Sequence, residues 1–394
     1  MNSELINAIS LGVLIFQGVA TLILLSRLLP GAMRRSPLKP QPFNQSFSGK
    51  VSAIIPTLNE AARIKPCLRG LSRQGGELRE VIVVDSNSQD ETPAIVQTQA
   101  QIDSRFRLIN DPPLPKEWVG RPWALHNGFL NSSNQSEWIL GIDADTQPQA
   151  GLINSLLTIA TTEGYDLISL APQFILQYPG EWWLQPALLV TLLYRFDSAG
   201  VNTANPERVM SNGQCFFCRR SVLESLAGYS SAANSFCDDV TLARNIAAAG
   251  YKVGFLDGAK LIKVRMYEGA KETWQEWGRS LDLKDAASVF QVWSDWWFLL
   301  LVQGLPLVLS LVAWLLLNLG YGSITLVAVI GLNLFLLFLR LIILIAIASS
   351  YQRPAQFSLA SWLFWLSPLA DPLAVLRIFL SSRQTPTQWR GRIY

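Results

Sequence analysis

The sequence predicts an α/β domain, a doubly wound sheet with helices on both faces, carried between membrane-spanning helices toward the two ends of the chain. Three observations predict it. Only 15% of the 394 residues are charged, yet 52 of the 61 charged side chains fall between residues 31 and 296, which is close to the density of a soluble domain. Long apolar stretches nearly free of charge flank that region. Inside it, short apolar runs recur, each followed by a polar turn and a helical pattern, as buried parallel strands alternating with helices do. A wholly soluble enzyme, a polytopic channel and a disordered chain are excluded. A net charge of +3 with no long basic run leaves no nucleic-acid footprint.

Residues 5–26 are 22 residues without a charge, enough to cross a hydrocarbon core of about 30 Å as a helix. Glu4 stands where a signal peptide would carry a basic residue, and the run is long, so residues 1–30 read as a retained anchor. Arg27, Arg34, Arg35 and Lys39 follow it, which by the positive-inside rule makes residues 31–49 a basic cytoplasmic linker and places the middle of the chain in the cytoplasm. Residues 297–318 and 324–348 read as a membrane hairpin within a segment 291–350, with Arg340 either snorkelling or facing a polar site. In residues 357–380, Ser367-Pro368 to Asp371-Pro372 breaks the apolar run into halves too short to span, so residues 351–394 are expected to hold a re-entrant or interfacial segment and a basic tail. Nine of the fourteen Trp residues lie from Trp274 onward, as in interfacial aromatic belts.

Residues 50–290 form the expected soluble-like domain. Strands are predicted over 51–56, 81–85, 105–109, 138–142 and 166–169, with helices over roughly 59–73, 91–102, 121–131 and 149–163. Ligands of such sheets sit at the carboxyl ends of the strands. The residues there are acidic: Glu60 after the first run, Asp85 to Asp90 after the second, and Asp143-Ala144-Asp145 after the run beginning at Trp138. Two acids spaced i, i+2 at a strand end offer hard oxygen ligands suited to Mg²⁺ or Mn²⁺. Alone, such a pair is more often a solvated turn. Asp238-Asp239 precedes a helical pattern that ends at Gly250; one acid there is ordinary capping, and the second is a candidate general base.

Together, Ile54-Ile55-Pro56-Thr57-Leu58-Asn59-Glu60, Val83-Val84-Asp85, Asp143-Ala144-Asp145 and Asp238-Asp239-Val240 resemble the family 2 glycosyltransferases of GT-A fold. That resemblance implies inverting transfer of a sugar from a UDP- or GDP-sugar donor with a divalent metal on the diphosphate. By the same resemblance, Asp85 contacts the nucleotide base, with Pro56, Thr57, Glu60 and Ser86 in that pocket. Asp143 and Asp145 form the metal motif, with Gln147 beside it. Asp239 is the catalytic base, adjoined by Asp238. In the stretch Gly120-Arg121-Pro122-Trp123-Ala124-Leu125-His126-Asn127-Gly128, Arg121 replaces a family Lys and supplies a second cation near the diphosphate.

Departures from the family pattern are informative. Ser86 stands where relatives carry an acid. Gln275, Trp277 and Arg279 only approximate the Gln-x-x-Arg-Trp motif that holds acceptor or diphosphate, which argues against a processive polysaccharide synthase. His126 is the only histidine, so no His-rich zinc site exists. Cys215 and Cys218, three apart on a strand, point to opposite faces and cannot easily share a metal or disulfide.

Residues 180–200, headed by Trp182 and Trp183, read either as a core helix or as an interfacial helix. With the anchor and hairpin, this layout resembles glycosyltransferases of carotenoid and hopanoid pathways. It implies the bilayer as a partner and a membrane lipid as acceptor, a carotenoid first. Hopanoid, ceramide-like and glycerolipid acceptors, a polyprenyl-phosphate sugar synthase, and a silent membrane scaffold that binds nucleotide are the alternatives.

Overall fold

The computed structural model describes residues 3–203, 205–278, 281, 283–352, 359–383, 388–389 and 392–393. The chain forms two compact units. One comprises Arg34–Ile175, Ser198–Met266 and Pro386–Tyr394, the other Met1–Met33, Leu176–Asp197 and Tyr267–Thr385. The stretch expected as one domain, residues 50–290, is therefore interrupted: 176–197 and 267–290 fall in the unit that holds the apolar helices.

The first unit is built on strands β1 (Val51–Thr57), β2 (Leu78–Asp85), β3 (Phe106–Asn110), β4 (Trp138–Gly141), β5 (Thr146–Pro148), β6 (Leu167–Ala171), β7 (Gln173–Phe174), β8 (Phe216–Arg219), β9 (Val253–Asp257) and β10 (Ile262–Val264). A seven-stranded sheet has the order β3-β2-β1-β4-β8-β6-β9, and β5-β10-β7 form a smaller one. The pairs β3–β2, β2–β1, β1–β4 and β6–β9 are parallel, whereas β8 runs antiparallel to β4 and β6. The sheet is mixed, and the chain winds one way from β1 to β3 and the other way from β4 outward. Their carboxyl ends thus meet at a switch point, where such sheets open a crevice.

Period-two alternation makes the two faces. Val51, Ala53, Ile55, Val81 and Val83 join one core cluster with residues of helices α2 (Lys65–Ser72), α3 (Thr92–Ile102) and α5 (Leu152–Glu163). Ile54, Ile82 and Val84 join the other with residues of α4 (Gly120–Leu130), α7 (Arg220–Ser225) and α8 (Asp238–Ala248). Each such Val or Ile side chain contributes roughly 1.5–3 kcal/mol by leaving water. Cys215 lies in the first cluster and Cys218 in the second, so the two thiols do occupy opposite faces of the sheet. All four cysteines are free and buried.

Gly128 lets α4 approach the sheet. A Cβ there would lie 2.3 Å from Ile54 Cγ2 and 3.0 Å from Val84 Cγ2.

The second unit holds helix α1 (Ser3–Leu28), helix α6 (Pro179–Arg195) and a helix Ile324–Ile347. The segments Glu4–Met33 and Ile324–Ser350 are long and apolar enough to cross a membrane. The expected span 297–318 is not one straight helix. Val289–Gly304 and Pro306–Asn318 meet at 51°, because Leu300–Gly304 is a π-helical turn and Pro306 lacks the N–H that would continue the ladder. Helix α6 buries Trp182, Leu184, Ala187, Leu188, Val190 and Tyr194, which makes it a core helix of this unit, not a helix lying exposed on its surface.

Arg340 is 2% exposed. Its Nε donates to Asp371 Oδ2 at 2.8 Å and its Nη2 to Asp371 Oδ1 at 3.1 Å, where Gln303 Nε2 also donates at 3.0 Å. It therefore faces a polar site and does not snorkel. Asp371 opens the helix Asp371–Arg383, whose 13 residues reach only about 20 Å, too short to cross.

Candidate active site

Two loops at the carboxyl edge are knitted together by side chains. Asn59 and Asn87 adopt left-handed backbones, φ 57° and 69°, which Asn tolerates better than other side chains. The amide of Asn59 donates to Ser88 Oγ at 2.8 Å, and Asn59 Oδ1 accepts from the amide of Gln89 at 2.8 Å. The amide of Glu60 donates to Thr92 Oγ1 at 2.8 Å and that of Ala61 to Asp90 Oδ2 at 3.0 Å. These bonds displace the first turn and a half of the expected helix 59–73, and α2 begins only at Lys65. Hydrogen bonds from Thr92 and from the amides of Ala61 and Thr92 outweigh burial and hold the Asp90 carboxyl below its ordinary range.

Asp85 is buried. It accepts from Thr57 Oγ1 at 3.2 Å, Ser88 Oγ at 2.6 Å and the Ser88 amide at 2.9 Å, so its carboxylate braces the loop that follows β2. Pro56 and Glu60 are buried as well, and the register of β1 on β2 sets Pro56 opposite Val84 and Thr57 opposite Asp85. Ser86, the departure from the family acid, donates to Asp111 Oδ2 at 2.7 Å. An acid is thus restored at this edge from the end of β3, a residue the sequence reading missed because nothing in its spacing marks it.

Past β4, Asp143 is partly exposed and engaged. Arg121, on the first turn of α4, donates through Nε to Asp143 Oδ1 at 2.9 Å, and Gln214 Nε2 donates to Oδ2 at 3.4 Å. The same guanidinium donates through Nη1 to Asp238 Oδ2 and through Nη2 to the Gly213 carbonyl at 3.3 Å. Burial opposes the Arg121 charge, but Asp143, Asp238 and Asp239 hold it well above its ordinary value.

Asp238 and Asp239 begin α8. Asp238 is 3% exposed, and burial raises its carboxyl against the pull of Arg121. Asp239, whose Oδ1 accepts from the Val240 amide at 2.9 Å, is pushed up to about 7, first by burial and then by Asp238, with Arg121 opposing. A carboxylate poised near neutrality is suited to accept a proton from a hydroxyl.

Asp143, Asp238, Asp239 and Arg121 are therefore brought together. Gln147 lies in β5, paired in register with Lys263. Gln275 is exposed, Trp277 is buried with its ring 6.2 Å from that of Tyr267, and both belong to the other unit. Arg279 lies outside the described residues. His126 stacks with Trp123, centroids 6.1 Å apart, and is tilted against Trp118 at 5.0 Å, and burial lowers its pKa.

Among the described residues no group of three or more His, Cys, Asp or Glu side chains is placed to hold a metal. A Mg²⁺-like cation needs only one or two protein carboxylates when substrate phosphates and water supply the rest. Asp143 is engaged by Arg121, whereas Asp145, partly exposed two residues on, carries hard carboxylate oxygens of the kind such an ion takes.

Residues 52–227 match the model of Glycosyl transferase family 2. An uncharacterized glycosyltransferase of Rickettsia felis is 34% identical over 117 residues, covering 30% of this chain and 36% of that protein. The GalNAc(5)-diNAcBac-PP-undecaprenol beta-1,3-glucosyltransferase of Campylobacter jejuni is 28% identical over 116 residues, 29% of this chain and 36% of that protein. The chain thus spans about a third of these relatives' length. The 4,4'-diaponeurosporenoate glycosyltransferase of Staphylococcus haemolyticus is 23% identical over 234 residues, 59% of this chain and 60% of that protein. Among solved structures, the mannosyltransferase PcManGT of Pyrobaculum calidifontis, in complex with GDP-Man and Mn²⁺, aligns with a TM-score of 0.52 at 18% identity over 96% of this chain and 97% of that one. That likeness bears on the fold alone. With the strand order, it shows a fold of GT-A type, and residues 52–227 are similar to Glycosyl transferase family 2.

Proposed function

We propose that the protein is an inverting glycosyltransferase that moves a sugar from a UDP- or GDP-sugar to a hydroxyl of a membrane lipid, a carotenoid first among the candidates. The observation that carries the reading is Asp239, a carboxyl pushed up to about 7 in the first turn of α8 near Arg121 and Asp143, beyond the segment 52–227 that resembles family 2. In this reading Asp239 takes the proton of the acceptor hydroxyl, whose oxygen attacks the anomeric carbon from the face opposite the diphosphate. The glycosyl C–O bond breaks and the nucleoside diphosphate leaves with the electron pair. Asp145 and Gln147 would hold the divalent cation, which when bound neutralises charge on the leaving diphosphate. Asp85, Thr57 and Glu60 shape the loop edge proposed to receive the nucleotide.

Support for a lipid acceptor comes from the two helices long enough to cross a membrane, at Glu4–Met33 and Ile324–Ser350. The names of the Staphylococcus and Campylobacter relatives, which cite a carotenoid acid and an undecaprenol, point the same way. Arg27, Arg34, Arg35 and Lys39 after the first of these helices favour a cytoplasmic catalytic domain. The test is a comparison of extracted lipids and pigments from cells with and without the gene by mass spectrometry. A hexose-bearing isoprenoid that disappears on deletion supports the reading; an unchanged lipid and pigment profile sinks it.

A further inference from the structure

Arg121 was expected at the donor diphosphate, yet its nitrogens are engaged elsewhere. We propose that Arg121 is a positioning residue, a strut tying the Asp143 strand end to the first turn of α8, and that it does not bind the diphosphate. The inference rests on the glycosyl-transfer reading above. Nε and Nη2 each lie 2.9 Å from Asp143 Oδ1, Nη1 donates to Asp238, and Nη2 also reaches the Gly213 carbonyl. These contacts use four of the five N–H donors, so a phosphate could take the guanidinium in a two-pronged contact only by displacing one of them; if that is Asp238, 4% exposed in its side chain, it is left buried without its countercharge.

Packing closes the strut from another side. A Cβ on Gly213 would lie 2.3 Å from Arg121 Nη2 and 2.5 Å from Asp143 Oδ2, so this position has no room for a side chain while the strut is in place. Because Asp238 and Asp239 are successive residues of one helical turn, a clamp on Asp238 fixes the rotation of the turn and with it the direction of Asp239. The single cation also stands among three carboxylates, Asp143, Asp238 and Asp239. It neutralises the neighbours of the base without touching a reacting atom.

The test uses the full-length protein in nanodiscs and the variants Arg121→Lys, Arg121→Met, Asp238→Asn, Gly213→Ala and the Arg121→Met/Asp238→Asn pair. Binding of UDP and GDP with Mn²⁺ is followed by calorimetry, and transfer is followed at saturating donor across pH. The strut predicts that each single variant loses about 100-fold in kcat, the scale of a misplaced reacting group. It also predicts a nucleoside diphosphate Kd within about threefold of wild type, and a double variant no slower than the slower single one. Gly213→Ala, which alters no charge, shares the loss, and Arg121→Lys, which cannot bridge both acids, does not rescue it. A rise of about tenfold or more in Kd for Arg121→Lys and Arg121→Met, with kcat near wild type, would place Arg121 on the diphosphate and overturn the proposal. Unchanged kcat and Kd would overturn it as well. If the wild-type protein transfers no sugar, the glycosyl-transfer reading fails, while the binding measurement still decides where Arg121 acts.

Discussion

Asp239→Asn is expected to abolish transfer and, at alkaline pH, to stabilise the protein. The Asp239 carboxyl rises from 3.8 to about 7, by burial and by Asp238, against Arg121. A folded-state pKa above the unfolded value means that the native state holds its proton longer. Stability from this group is complete below about pH 4 and is lost as pH climbs through 7. Roughly three units correspond to about 4 kcal/mol at 1.36 kcal/mol per unit, and the partial exposure of the side chain reduces this to about 1–2 kcal/mol. Asparagine carries no charge at any pH, so it relieves that cost at pH 8 and changes little at pH 4. The loss of a general base lowers kcat by about 10²–10⁴, or about 2.7–5.5 kcal/mol in the barrier. The assays are chemical denaturation at pH 4 and pH 8 and transfer at saturating donor, with wild-type kcat/KM half-maximal near pH 7 and reaching its plateau above it. The reasoning is refuted if Asp239→Asn keeps a third or more of the activity, or if it is less stable than wild type at pH 8.

Three further outcomes are expected. Asp145→Asn should weaken Mn²⁺ activation roughly 10- to 100-fold, read from rate against metal concentration, at unchanged melting temperature; unaltered metal dependence removes Asp145 from the metal. Gly128→Ala drives a Cβ to 2.3 Å from Ile54 Cγ2 and should cost about 1–3 kcal/mol, seen as a lower melting temperature. Arg340→Leu leaves Asp371 buried without its partner and should cost about 3–5 kcal/mol, whereas Arg340→Leu with Asp371→Leu recovers most of it. Proteolysis of the detergent-solubilised protein reports both.

The strands that carry the site were legible because burial on both faces writes continuous apolar runs, as at Val81 to Val84 and from Trp138. The acids that follow them were legible because strand ends are marked by the change to polar residues. What the sequence reading missed depends on partners distant in the chain. The helix expected from residue 59 starts at Lys65 because Ser88, Asp90 and Thr92, about 30 residues on, bond the amides of Asn59 to Ala61. Arg121 meets Asp238 across 117 residues, and no local spacing encodes that. The break at Leu305 was readable in Pro306 but was masked by the uniform hydrophobicity around it. Trp182 and Trp183 suited a bilayer surface and a packed core equally, and only tertiary packing shows that α6 is a core helix of its unit.

The central claim is metal-assisted inverting transfer with Asp239 as base, and one measurement reaches it most directly. Purified protein in nanodiscs is incubated with UDP- and GDP-sugars and polyisoprenoid, hopanoid and glycerolipid acceptors, with Mn²⁺ or with EDTA, alongside Asp239→Asn. The account predicts a glycolipid with inverted anomeric configuration that forms only with Mn²⁺ and only with Asp239 intact. A product of retained configuration, equal yield in EDTA, or full yield from Asp239→Asn would contradict it.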